Sequence, residues 1–174
     1  EEKNRVIPII SDLRNENPDI LISVDTCKSE VAEEAIEAGA DIINDISGLK
    51  NDIKMLNVIQ KNKIPIVIMH MKGLPKNMQK NISYNNFIED ILNFFKERLK
   101  YAKLHNIKKD QIILDPGIGF GKTLEQNFIL LNNIDIICAL GYPVLIGTSR
   151  KSFLGKTLGL DTDNILEGSI ASNL

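Results

Sequence analysis

Five short apolar runs punctuate this chain, and each ends on polar residues. Ile20 to Val24 ends on Asp25-Thr26, Ile42-Ile43 on Asn44-Asp45, and Ile64 to Met69 on His70. Ile112 to Leu114 ends on Asp115, and Pro143 to Gly147 on Thr148 through Lys151. Continuous apolar character marks strands buried on both faces. Helical patterns separate the runs, and strand alternating with helix predicts a parallel sheet with right-handed crossovers. An open doubly wound sheet and a (β/α)8 barrel both satisfy that pattern. In either, the carboxyl ends of the strands share one face, where α/β enzymes bind ligands. One polar strand end reads as a cap, whereas five in succession argue for a site.

The helical patterns cover Glu1 to Asn15 (interrupted early by Pro8), Ser29 to Ala38, Asp52 to Lys61, Phe87 to His105 and Gln126 to Leu140. Gly39 stands where a C-terminal cap belongs. After Lys151 the tail reads as a Gly-punctuated loop, with another helix beginning near Ile165. Lys72 to Asn86 is polar and long for a connection inside a compact domain, which marks it as a functional or mobile loop.

The densest stretch is Ile112-Ile113-Leu114-Asp115-Pro116-Gly117-Ile118-Gly119-Phe120-Gly121-Lys122. Pro116 cannot continue a ladder, so the strand stops there. Three glycines then allow close approach or positive φ, which leaves Asp115 at a buried strand end beside a loop shaped for contact. Gly121-Lys122-Thr123 invites comparison with a phosphate-binding P-loop, but the required first glycine falls on Pro116. The dinucleotide fingerprint fails as well, because its third glycine arrives one position early.

Composition removes several classes. With 174 residues, 43% of them hydrophobic, the chain suits one domain with a real core. A net charge of −2 with interspersed signs provides no basic field for nucleic acid. No apolar run reaches the roughly 18–20 residues that span a bilayer, so no membrane role is expected, and no signal peptide is read. Cys27 and Cys138 lie far apart without metal-ligand spacing, which fits two free thiols in a reducing, cytoplasmic setting. No His/Cys cluster suggests zinc, and no Ser-His-Asp order suggests acyl transfer.

What converges instead is Asp25, Asn44, Asp115 and Lys151, with Gly119-Phe120 beside them. A carboxylate at a dry strand end needs donors, and the N–H edge of an aminopyrimidine would supply two charge-assisted bonds. Lys151 would face the opposite edge, and Phe120 and Met69 would cover an aromatic ring. His70, between two methionines, reads as a packed strand-end residue rather than a catalytic base.

These motifs resemble the dihydropteroate synthase family of pterin-binding TIM-barrel enzymes. The resemblance rests on Ile22-Ser23-Val24-Asp25-Thr26, Ile42-Ile43-Asn44-Asp45, Met69-His70-Met71, Leu114 through Lys122, and Ser149-Arg150-Lys151-Ser152, in family order along essentially the whole chain. It implies that Asp25, Asn44, Asp115 and Lys151 hydrogen-bond a pterin ring, and that Met69, Gly119, Phe120 and Gly147 line the same pocket. It also implies that Ser149 lies toward p-aminobenzoate. The implied reaction condenses 6-hydroxymethyl-7,8-dihydropterin pyrophosphate with p-aminobenzoate by an SN1-like route. Asp25 and Lys151 are its implied catalytic groups, and the negative charge of Asp25 and Asp115 would stabilise a pterin cation. Mg2+ as cofactor, a homodimer and sulfonamide sensitivity of the family are further implications.

The resemblance also implies departures. A full barrel takes about 250 residues and at least roughly 200. Aligned by motif, residues 1–174 form one pterin-binding domain covering about strands 3 to 7, truncated at both ends. The first strand with its magnesium-linked asparagine, the Arg-rich loop after the second strand and the eighth strand's Arg-x-His have no counterparts here. The chain alone is therefore expected to be inactive. Two rivals stay open: a methyltetrahydrofolate-dependent methyltransferase, against which Ser149-Arg150-Lys151-Ser152 argues, and a non-catalytic pterin-binding module.

Overall fold

A computed structural model describes residues 1–174. Four parallel strands form one sheet: β1 (Ser23–Asp25), β2 (Ile42–Asp45), β3 (Ile66–Met69) and β4 (Ile112–Asp115). Their spatial order follows the chain, β1-β2-β3-β4. A doubly wound sheet reverses order at its switch point, so this uninterrupted succession is an arc of a barrel wall. The register sets Asp25 beside Asn44 and Met69 beside Asp115.

The strands are apolar because both faces are covered. Ile43, Ile66, Ile68 and Leu114 have no exposed surface. Helices pack over the outer face, including α1 (Glu2–Glu16), α2 (Ser29–Glu37), α3 (Met55–Asn62) and α4 (Phe87–Leu104). Each buries one stripe, for example Val31, Ala32 and Ala35 on α2, and Ile91, Phe94, Phe95 and Ala102 on α4, which is the amphipathic spacing of a helix on a core. No helix is long and apolar enough to cross a membrane.

The structure departs from the sequence expectation in four places. The fifth run does not become a strand. Val144 makes only an isolated bridge to Leu114. Leu114 N–H donates to Pro143 O at 2.9 Å and Leu145 N–H donates to Leu114 O at 2.8 Å. The next donor along β4 would be Pro116, which has no N–H, so the ladder stops after one rung. Pro8 does not interrupt α1. The carbonyl deprived of a partner belongs to Asn4, which is exposed and open to water. The helix expected over Gln126 to Leu140 is two, α5 (Leu124–Asn132) and α6 (Ile134–Cys138). Between them the Asn133 side chain donates to Ile129 O at 2.8 Å, taking the place of the next backbone donor. Finally, the expected tail loop contains α7 (Ser152–Leu158), which ends at left-handed Gly159 and precedes α8 (Leu166–Ala171). Gly155 inside α7 hides the pattern, but Phe153 and Leu154 are buried in the core.

Candidate active site

The carboxyl ends of the strands converge as the alternation predicted. Asp25 ends β1, and its Oδ1 accepts a short hydrogen bond from Asn44 Nδ2 at the end of β2. That bond fixes the orientation of the Asn44 amide, and its Oδ1 is left buried with no partner. A buried acceptor without a donor costs on the order of 1–3 kcal/mol, so it marks a place where a ligand N–H belongs. Asp45, next along, turns away from this face. It is buried and caps its own loop through Ser47 N–H at 2.8 Å and Leu49 N–H at 3.0 Å.

Asp115 ends β4 and is 7% exposed. Its Oδ1 accepts Gly117 N–H at 2.7 Å, and its backbone carbonyl accepts His70 N–H at 2.8 Å. Burial raises the Asp115 carboxyl above the ordinary aspartate value. The Gly117 N–H and the Lys151 and Lys122 ammoniums pull it back, and the Asp25 charge pushes it up. Lys151, half-buried at the start of α7, is itself lowered by burial and partly restored by Asp115. Its Nζ lies 4.4 Å from the centre of the Phe120 ring, a cation–π distance. Its aliphatic stem crosses Gly119, where an added Cβ would lie 3.3 Å from Lys151 Cδ.

Asp25 and Asn44 are therefore joined by a bond, Asp115 is linked electrostatically to Asp25 and Lys151, and Gly119 and Phe120 lie against Lys151. Met69 is fully buried beneath the loop, beside Gly117. Gly147 and Ser149 are exposed at the end of the fifth run, and a side chain at Gly147 would meet nothing within 4 Å. No hydrogen bond joins those two to the cluster.

Sequence reasoning missed the residues that hold the glycine loop in place. Lys122 is 2% exposed and bonded to three backbone carbonyls. Asn127, also 2% exposed, accepts Gly119 N–H at 2.6 Å and donates to Thr123 O at 2.7 Å. Thr123 and Gln126 form the capping box that starts α5 and aims Asn127 back at the loop. The signal for the box was legible as Thr-x-x-Gln, but nothing local to Lys122 announces burial.

His70 is the packed residue the sequence suggested. It is 5% exposed, edge-on to Phe94 at 4.9 Å, and bonded through Nδ1 to Lys122 Nζ at 3.1 Å. Burial and the neighbouring lysines push its pKa down to about 2, so it is a neutral imidazole at any working pH and no general base.

The loop from Lys72 to Asn86 leans over the same glycines. Gln79 donates to Gly119 O at 2.6 Å and Tyr84 Oη donates to Gly121 O at 2.8 Å. Lys72 Nζ sits 4.2 Å above the Tyr84 ring and bonds Ser83 O. Otherwise the loop is largely exposed. Its amides are expected to exchange rapidly in the free protein and to slow when a ligand orders Gly119–Gly121, because that order is passed on through Gln79 and Tyr84. Hydrogen exchange with and without ligand tests this, and strong protection in the free protein would refute it.

Against known proteins, residues 1–173 match the profile of the family described as pterin binding enzyme. Curated relatives include the dihydropteroate synthase of Clostridium beijerinckii, 48% identical over the whole chain and 62% of the relative's length. That of Bacillus subtilis is 44% identical over 99% of this chain and 58% of its own. Among solved structures, dihydropteroate synthase from Clostridium difficile, crystallised with pteroic acid, superposes with a TM-score of 0.89 at 43% identity, covering 97% of this chain and 62% of that one. The Thermus thermophilus enzyme in complex with 4-aminobenzoate gives a TM-score of 0.92 at 37% identity, covering 99% of this chain and 66% of that one. The chain thus spans about six tenths of the length of the relatives it matches.

Proposed function

The chain belongs to the pterin-binding enzyme family, and on that premise we propose that it carries the pterin pocket of a dihydropteroate synthase. The reaction would join 6-hydroxymethyl-7,8-dihydropterin pyrophosphate to p-aminobenzoate, giving 7,8-dihydropteroate and pyrophosphate. The observation that carries this reading is the presence, on one face of strand ends, of a buried carboxylate, Asp115, and a buried amide oxygen, Asn44 Oδ1, that lacks a donor. Both ask for N–H groups from one flat ligand edge.

In this proposal Asp115 and Asn44 take the amino and ring N–H groups of the pterin, and Asp25 holds Asn44 in register. Lys151 donates to the ring's acceptor edge, and Phe120 and Met69 bound its faces. Gly119 leaves room for the Lys151 stem, Gly147 lines the same pterin pocket, and Ser149 lies toward p-aminobenzoate. As pyrophosphate leaves, positive charge grows on the pterin. Fixed negative charge from Asp25 and Asp115 then stabilises the transition state without reorganisation. Asp25 and Lys151 are the groups assigned to the chemistry.

Mg2+ is the cofactor that the family resemblance implies, and it would be held chiefly by the pyrophosphate oxygens. No group of three carboxylate, imidazole or thiolate side chains of this chain comes together, and no step is assigned to the ion. A cytoplasmic setting is supported by the unpaired thiols of Cys27 and Cys138. A homodimer is the assembly that the family resemblance implies.

The test is a turnover assay on the complete gene product with the pterin pyrophosphate and p-aminobenzoate. Pyrophosphate release that depends on p-aminobenzoate is the expected result. Pterin binding without release would make the protein a binding module, and methyl transfer from methyltetrahydrofolate would make it a methyltransferase.

A further inference from the structure

A fully buried lysine beside the glycine loop has no part in the reaction just described. Lys122 Nζ lies 2.8 Å from Gly117 O, 3.0 Å from Phe120 O, 3.1 Å from His70 Nδ1 and 3.4 Å from His70 O. Burial pulls the Lys122 pKa down to about 7, against the pull of the Asp115 charge. Its ammonium form has three protons, and the three nearest acceptors use them all. With 2% exposure and every donor engaged, this lysine has nothing left for a phosphate, despite its Gly-Lys-Thr setting.

We propose that Lys122 is a positioning residue for the pterin pocket, clamping the Gly117–Phe120 turn so that Asp115 and Phe120 keep the orientation that binds ligand. The inference rests on the pterin-pocket reading above. Gly117 is the link. Its carbonyl accepts from Lys122, and its N–H donates to Asp115 Oδ1 at 2.7 Å. The same residue is pressed against strand β3, since an added Cβ would stand 2.1 Å from His70 O. Lys122 thus ties the end of β3 to the loop after β4 and, through Gly117, sets one oxygen of the ligand-binding carboxylate. Phe120 is held at its own carbonyl, which places its ring under Lys151. His70 serves the clamp as a neutral ring, in keeping with its depressed pKa, and a Lys122 ammonium donating to Nδ1 places the ring proton on Nε2.

The experiment uses the full-length enzyme and a non-reactive pterin in calorimetry. Lys122→Met, close in length and without N–H donors, is expected to weaken pterin binding on the order of 10- to 100-fold. The KM for the pterin substrate should rise by a similar factor, and the KM for p-aminobenzoate should change less. Pterin affinity within about threefold of the parent would overturn the proposal. Should Lys122→Met not fold, the parent protein labelled at lysine nitrogen decides by NMR. Recorded on the acid side of its lowered pKa of about 7, the Lys122 ammonium signal is expected to be protected from exchange and to shift when pterin binds. A signal indifferent to pterin would overturn the proposal. Asp115→Asn is run alongside. If it abolishes binding while Lys122→Met does not, only the positioning role falls. If neither affects binding, the pterin-pocket reading falls.

Discussion

Asp115→Ala is expected to weaken pterin binding by roughly 3–5 kcal/mol, about two to three orders of magnitude in Kd, because it removes one partner of a desolvated charge-assisted pair. The carboxylate stands at a strand end with 7% exposure, and only one of its oxygens is committed within the protein, to Gly117 N–H. Asp115→Asn separates the two roles. Its amide oxygen still receives the Gly117 N–H, so the loop should keep its shape while the charge facing the ligand is lost. Calorimetry on both variants should find similar losses of affinity with a smaller loss of thermal stability in Asp115→Asn. Full affinity in both would reduce Asp115 to a cap.

The same carboxyl gives affinity and stability opposite responses to acid. Burial raises its folded pKa, so protonation begins at a higher pH than for an ordinary aspartate. Pterin affinity should therefore fall as pH drops through that raised value. Between the unfolded and folded pKa, the native chain binds more protons than the unfolded one, so this group's contribution to stability grows as pH falls. Parallel titrations of Kd and Tm on the parent and on Asp115→Asn would isolate the effect, and pH curves that superpose would refute it.

Gly117→Ala is expected to be the most destabilising single methyl addition on this face. Gly117 has a φ of +67°, in the left-handed region, and the new Cβ would stand 2.1 Å from the His70 carbonyl oxygen. Left-handed backbone costs an L residue roughly 1–2 kcal/mol, and overpacking adds about 1–3 kcal/mol. The oxygen belongs to the backbone at the end of β3, which cannot rotate away. Gly117 must then withdraw from both Lys122 and Asp115, so stability and pterin affinity should fall together. Gly147→Ala is the control, since its Cβ would enter open space at an ordinary φ. Denaturant midpoints that agree for the two variants would contradict the packing argument.

Residue order alone pointed to a parallel α/β structure whose polar strand ends share one face. Periodicity and polarity report burial one residue at a time, and Asp25, Asn44 and Asp115 each stood after an apolar run. Motif order also carried the family. The alternation alone left a barrel arc and a doubly wound sheet open, because strand order is a property of non-local pairing. The motif resemblance implied the barrel, and the sequential order of β1 to β4 agrees with it. The fifth run looked like any other strand, yet it makes one rung, since the donor needed for the second would be Pro116 on its neighbour. Lys122 shows the largest gap between sequence and structure. A lysine after glycine reads as a solvent-facing charge, and nothing near it in sequence says otherwise. Its acceptors come from the ends of two strands, with His70 standing 52 residues before Lys122, and only folding brings His70 and Gly117 close enough to bury an amine between them.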